Sequence, residues 1–223
     1  MTSKDLAGLG ISADLAVHYV RAGWLIRLAR GVFSRPGESI SLYPALRLLE
    51  KRIRGLHVGG KSALDWYAVR HYVEQRPTLH LYGAEPGKMP DWFAQRFPSE
   101  YHQKKLFQES IALLYVMPFE NGPNAPQTSV PERALLELLA EVGTRQPLHE
   151  VRELMESTYT FRADVLRDLL LKCTSVKTVR LCLQLGAELA LPWAAKLDSK
   201  TLPTGSNRPW VGRSADGLLV LKP

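Results

Sequence analysis

The first forty residues switch between the hydrophobic spacing of a helix and that of a strand. A brief helix is predicted over residues 3–7, capped by Ser3 and stopped by Gly8-Leu9-Gly10. Ser12 can cap a second helix over residues 12–22, with Gly23 at its C-terminal boundary. On that helix Ile11, Leu15, Ala16, Tyr19 and Val20 keep the rhythm of a core-facing stripe. Ser12, Ala13, Val17, His18 and Arg21 fall on the opposite face. Residues 24–28 and 31–34 then read as two short strands around Ala29-Arg30, and Arg35-Pro36-Gly37 ends the second.

A strong amphipathic helix follows, with Leu42, Ala45, Leu46, Leu49 and Ile53 as its buried stripe. Arg47, Lys51, Arg52 and Arg54 lie largely off it. After Gly55, His57-Val58 is strand-like, Gly59-Gly60 turns, and residues 62–73 read as a helix, which Ser62 can cap. Residues 79–82 alternate like a strand, and residues 106–117 contain a further apolar, β-branched run. Residues 121–128, with two prolines and a glycine, make the best internal linker. Ser129-Val130-Pro131-Glu132 resembles a helix start with Ser129 as its cap. Further helices are predicted over residues 149–157, 162–173 and 175–189. The end is loop-rich, with Trp210-Val211 and residues 218–221 as a closing hairpin around Asp216-Gly217. No fixed-period repeat is present. The expected fold is α+β: an N-terminal winged helix-turn-helix, a mixed α/β middle region and a largely helical C-terminal part. The expected division is residues 1–83 and 84–223.

Composition narrows the classes. The chain has 223 residues, 45% of them hydrophobic and 23% charged, enough to bury a core and too apolar for a disordered tail. The apolar run at residues 111–116 is far short of the ~20 residues of a membrane span. No apolar signal-peptide core is read near Lys4 and Asp5. Cys173 and Cys182 are expected to be buried, reduced thiols, which fits a cytoplasmic protein. The formal net charge is +7, and it is uneven. Residues 1–54 hold 9 basic and 4 acidic side chains, an excess of 5, so one quarter of the chain carries most of the charge. That points to a polyanion-facing N-terminal region.

Two short helices, a glycine-containing turn and a basic two-stranded ribbon form the winged helix-turn-helix pattern. A recognition helix needs an apolar face to seat it and a small, polar face that enters the major groove. Ser12, Ala13, Val17, His18 and Arg21 supply the second face. Arg27, Arg30 and Arg35 on the ribbon are placed to meet phosphates or the adjoining minor groove. Lys51, Arg52, Arg54 and Lys61 form a second basic cluster, either an extension of that footprint or a solvated helix face.

The run from Gly10-Ile11-Ser12 through Tyr19-Val20-Arg21-Ala22-Gly23-Trp24-Leu25, and then Arg30-Gly31-Val32-Phe33-Ser34-Arg35-Pro36-Gly37, resembles the N-terminal domain of AbiEi antitoxins of type IV toxin–antitoxin systems. So do His57-Val58-Gly59-Gly60-Lys61-Ser62-Ala63-Leu64 and the Trp-Val-Gly and Leu-Leu-Val-Leu ending. The resemblance implies a winged-helix DNA-binding domain joined to a larger antitoxin domain, active in abortive infection. It implies repression of the chain's own operon at promoter inverted repeats; such repeats would suit two copies on DNA of a protein that is a monomer in solution, and the oligomeric state stays open. It also implies neutralisation of a nucleotidyltransferase toxin, without need of a stable complex. The family pattern has more room before the helix-turn-helix than this chain offers, so the helix at residues 42–54 is expected to prop an abbreviated head.

Other chemistry is weakly supported. Residues 55–62 formally satisfy the phosphate-loop pattern G-x-x-x-x-G-K-[ST]. That is the alternative reading of the chain as a nucleotide-binding protein. However, a basic amphipathic helix precedes the loop where a buried strand is needed. His149-Glu150-Val151-Arg152-Glu153 lacks the second histidine of a zinc protease. Gly205-Ser206 lacks the Asp-x-Asp pair of a nucleotidyltransferase. The histidines have no ligand spacing, and Glu150, Glu153 and Glu156 read as a solvated face. No catalytic residue, metal or cofactor is expected. Trp24, Trp66, Trp92, Trp193 and Trp210 read as core, with Trp24 anchoring the ribbon.

Overall fold

Burial divides the chain near residue 36. In the computed structural model, which describes residues 1–70, 77–214 and 217–222, two hydrophobic clusters form. The small one joins Leu6, Ala16, Leu25 and Phe33; the large one runs from Ala45 to Leu221. The first belongs to the head: α1 (Ser3–Gly8), α2 (Ala13–Arg21) and an antiparallel ribbon of β1 (Ile26–Ala29) and β2 (Val32–Ser34). Thr2, rather than Ser3, caps α1, through a capping box in which Asp5 returns the bond. Gly23 closes α2 at φ 76°, a left-handed conformation that residues with a Cβ adopt at a cost. The ribbon is held to α1 through Ser3 N–H donating to the Gly31 carbonyl and a bridge between Thr2 and Val32.

The body holds a mixed five-stranded sheet in the order β5-β4-β3-β7-β6. Its strands are β3 (His57–Val58), β4 (Leu79–Gly83), β5 (Ser99–Gln103), β6 (Val116–Pro118) and β7 (Gln127–Ser129). The sheet draws strands from both sides of the expected division at residue 83, with β4 and β5 paired in parallel along their whole length. The helices are α3 (Leu42–Glu50), α4 (Gly60–Trp66), α5 (Asp91–Ala94), α6 (Pro131–Glu141), α7 (Leu148–Met155), α8 (Ala163–Lys172) and α9 (Val176–Glu188). A hairpin of β8 (Trp210–Ser214) and β9 (Gly217–Leu221) closes the chain; Asp216, expected at its turn, lies outside the described residues. Cys173 and Cys182 are buried free thiols. Among the described residues no helix is long and apolar enough to cross a membrane.

Several expectations change here. The predicted linker is a hairpin connection, because β6 and β7 pair antiparallel through Val116, Met117 and Pro118. Most of the apolar run at 106–117 is loop and a short 3₁₀ turn, strand-like only at its end. The helix expected over 62–73 starts at Gly60 and stops at Trp66; residues 71–73 of that expectation lie outside the described residues. Ser62 does not cap that helix: its Oγ donates to the Thr78 carbonyl and accepts from His80 N–H. Ser129 does not cap α6 either. It stays in β7 and donates from Oγ to Glu137, while Val130 takes the cap position.

Candidate nucleic-acid interface

The head presents its expected residues to solvent. Ser12 caps α2, accepting from Leu15 N–H at 3.2 Å. Ala16 is buried and Tyr19 and Val20 are half-buried, which seats the helix. Leu15, assigned to that face, is 36% exposed at its edge. Ser12, Ala13, Val17, His18 and Arg21 are all exposed. His18 and Arg21 lie in the last turn, where the helix dipole favours cations. Asp14, exposed one turn before His18, also faces outward, a residue given no role from the sequence.

The ribbon pairs Ile26 with Ser34, Arg27 with Phe33 and Ala29 with Val32, with an irregularity between Arg27 and Ala29. Arg27 and Arg30 are exposed on it, and Arg35 is exposed just past β2. Trp24 does not anchor this ribbon. It is 66% exposed, and its ring is tilted against that of Tyr19, at 5.3 Å between centroids. Leu25, Val32 and Phe33 do the anchoring.

Pairing separates these cations from Lys51, Arg54 and Lys61, whereas Arg52, also exposed, has no carboxylate within salt-bridge distance among the described residues. Among the described residues, Arg21, Arg27, Arg30 and Arg35 have no carboxylate within salt-bridge distance. Lys51 instead meets Asp5 at 3.3 Å, Arg54 meets Glu109 at 3.8 Å and Lys61 meets Glu150 at 3.8 Å. Asp5 is held below the usual carboxylate range, first by the Thr2 backbone N–H and also by Lys51. Lys61 is half-buried in the body, so it does not share the exposed surface of Lys51, Arg52 and Arg54.

The phosphate-loop match folds differently from a nucleotide site. Gly59 caps α4, and the Gly60 N–H that a phosphate would take donates to Glu137 Oε2 at 3.1 Å. A Cβ on Gly59 would stand 2.2 Å from that oxygen and 2.6 Å from the Tyr82 ring. The anion at this turn is therefore the chain's own carboxylate. Glu137 also accepts from His57 Nε2, Ser129 Oγ and Arg133 Nε at 2.8–2.9 Å. Burial pushes its carboxyl up, but His57 and Arg133 outweigh this and hold it down at about 2. Nothing in the sequence distinguished Glu137 from an ordinary solvated helix glutamate.

Comparison with known proteins gives two adjoining family matches. Residues 1–75 match the family model described as the AbiEi antitoxin N-terminal domain of a transcriptional regulator. Residues 76–222 match the model described as a transcriptional regulator, AbiEi antitoxin, of type IV toxin–antitoxin systems. No protein of curated function matches at a significant level. Among solved structures, the RV2827C protein from Mycobacterium tuberculosis is similar in fold, at 17% identity and a TM-score of 0.53. That match covers 95% of this chain and 83% of the other. The two family models together span almost the whole chain, which belongs to the AbiEi antitoxins, transcriptional regulators of type IV toxin–antitoxin systems.

Proposed function

We propose that the head is a winged helix-turn-helix that binds double-stranded DNA at inverted repeats in the promoter of the chain's own operon and represses it. Residues 12–22 enter the major groove, and Arg27, Arg30 and Arg35 hold the backbone. The observation that carries this reading is the set of four exposed arginines whose guanidinium groups have no carboxylate partner among the described residues, grouped on one small head. An arginine already paired to a carboxylate would have to give up that partner to bind phosphate; these have none to give up. In the family's terms, the chain also neutralises a nucleotidyltransferase toxin.

Affinity for the promoter repeat should fall by about a thousandfold or more between 50 and 200 mM salt if about six phosphates are contacted. Arg21→Ala with Arg30→Ala should weaken binding roughly tenfold or more and lower the salt slope by about two. Fluorescence anisotropy on the full chain measures both, and unchanged binding by the folded double variant would remove this face from the interface. For the antitoxin role, the full chain should restore growth when the neighbouring toxin is induced. No rescue would leave a repressor alone.

A further inference from the structure

The parallel pairing of β4 and β5 sets His80 opposite Glu100 and Tyr82 opposite His102. Strand alternation puts all four on one face of the sheet. Burial is graded along this row: His102 is 1% exposed, His80 half-buried and Glu100 exposed. His80 Nδ1 lies 2.9 Å from His102 Nε2, and Glu100 Oε2 lies 3.9 Å from the same nitrogen. One donor atom from each residue falls within 4.8 Å of the other two. Behind His102, its Nδ1 faces Arg145 Nη1 at 2.8 Å and Glu141 Oε1 at 3.4 Å. That Glu141 oxygen is buried and has no hydrogen-bond partner, although the side chain is 2% exposed. Lys104 Nζ stands 3.6 Å from it.

We propose that His80 Nδ1, His102 Nε2 and Glu100 hold a divalent cation of the zinc class, with Glu141 as the outer partner that orients His102. Two imidazoles and a carboxylate with solvent in the fourth position are a donor set that suits such an ion. Bonds of about 2.0–2.1 Å place tetrahedral ligand atoms about 3.3 Å apart. The imidazole pair then opens by a few tenths of an ångström, and the exposed Glu100 side chain closes in. The proton shared between the two imidazoles leaves to solvent. His102 takes up a proton at Nδ1 in exchange and donates it to the unpartnered Glu141 oxygen, the outer contact that ligating histidines usually make. Arg145, which donates to His102 Nδ1 when the imidazoles share a proton, turns to the Glu141 carboxylate. Glu100 and Glu141 offset the charge of the ion against Lys104 and Arg145.

This site lies in the body and does not depend on the DNA-binding reading. The test uses the untagged full chain, stripped with a chelator, desalted and titrated with zinc chloride by calorimetry and with cobalt chloride by visible absorption. One ion per chain at roughly micromolar affinity or tighter is expected, with the intense absorption of four-coordinate cobalt. His80→Ala and Glu100→Gln should each weaken binding by about tenfold or more. Because Glu100 is exposed, Glu100→Gln decides the matter alone if His80→Ala disturbs the sheet. Absence of saturable binding, or a smaller loss in the folded variants, overturns the proposal and leaves an imidazole–imidazole hydrogen bond.

Discussion

Arg30 and Arg180 carry the same guanidinium to opposite fates. Arg180 is buried and donates to the carbonyl oxygens of Thr204, Ser206, Arg208 and Leu221, so each nitrogen of its planar group meets backbone. Arg30 sits on the ribbon turn, exposed and without a carboxylate. The contrast extends to the two regions as wholes. In the body, α6 buries Glu132, Arg133, Glu137 and Glu141 together and gives every one of these side chains an oppositely charged partner. In the head, charge is kept outside a core of four fully buried residues. Desolvated charge is tolerated only when matched, so the body's charges hold its own elements together. Unmatched charge in water costs little and stays available to a polyanion.

The contrast breaks most visibly at Glu137. Glu137→Ala strands Arg133 Nε, His57 Nε2, Ser129 Oγ and the Gly60 N–H without their acceptor. A loss of about 3–5 kcal/mol is expected, or roughly 10 °C in Tm by calorimetry. A change of only a degree or two would mean that this network does not support the body.

Acid titrates the same group. With its carboxyl held at about 2 in the folded chain against an ordinary 4.5, Glu137 contributes stability that is complete above pH 4.5. That contribution is lost as pH falls from 4.5 towards 2, on the order of 3 kcal/mol in total. Urea midpoints should therefore drop across this window, and Glu137→Gln should flatten the drop. An equally steep fall in that variant would assign acid sensitivity to other groups.

The smallest effect sharpens the head. Asp14→Asn removes the acid that stands one helical turn from His18. Binding to unrelated DNA should tighten by roughly threefold, while Tm moves by about a degree or less. Weaker binding to the promoter repeat alone would instead mark Asp14 as a base-reading acceptor.

The head was largely legible in the sequence because its elements are local. Ser12, Ala16 and Gly23 bound and seat α2 within a single stretch of chain, and the helix ends fall within about a residue of expectation. What periodicity does not encode is which apolar residue the fold leaves uncovered. Trp24 looked like an anchor because tryptophan usually finds cover, but here it lies exposed beside Tyr19. In the body, the misreadings share a cause in long-range pairing. Ser129 satisfies a local capping pattern, yet β7 pairing holds it in the sheet and turns its hydroxyl to Glu137. Ser99–Gln103 has no apolar alternation of its own and becomes β5 because β4 lies beside it. His80 and His102, 22 positions apart, meet only through that pairing.

The sheet that crosses residue 83 has a bearing on inheritance. Two neighbouring genes of this kind could not trade N-terminal ends by recombining there, since β4 would be parted from the β5 it was built to lie beside. A crossover in the loop at residues 36–41 interrupts neither ribbon nor sheet. Under the proposed function, hybrids joined at that loop are where a new operator preference would reach an unchanged body.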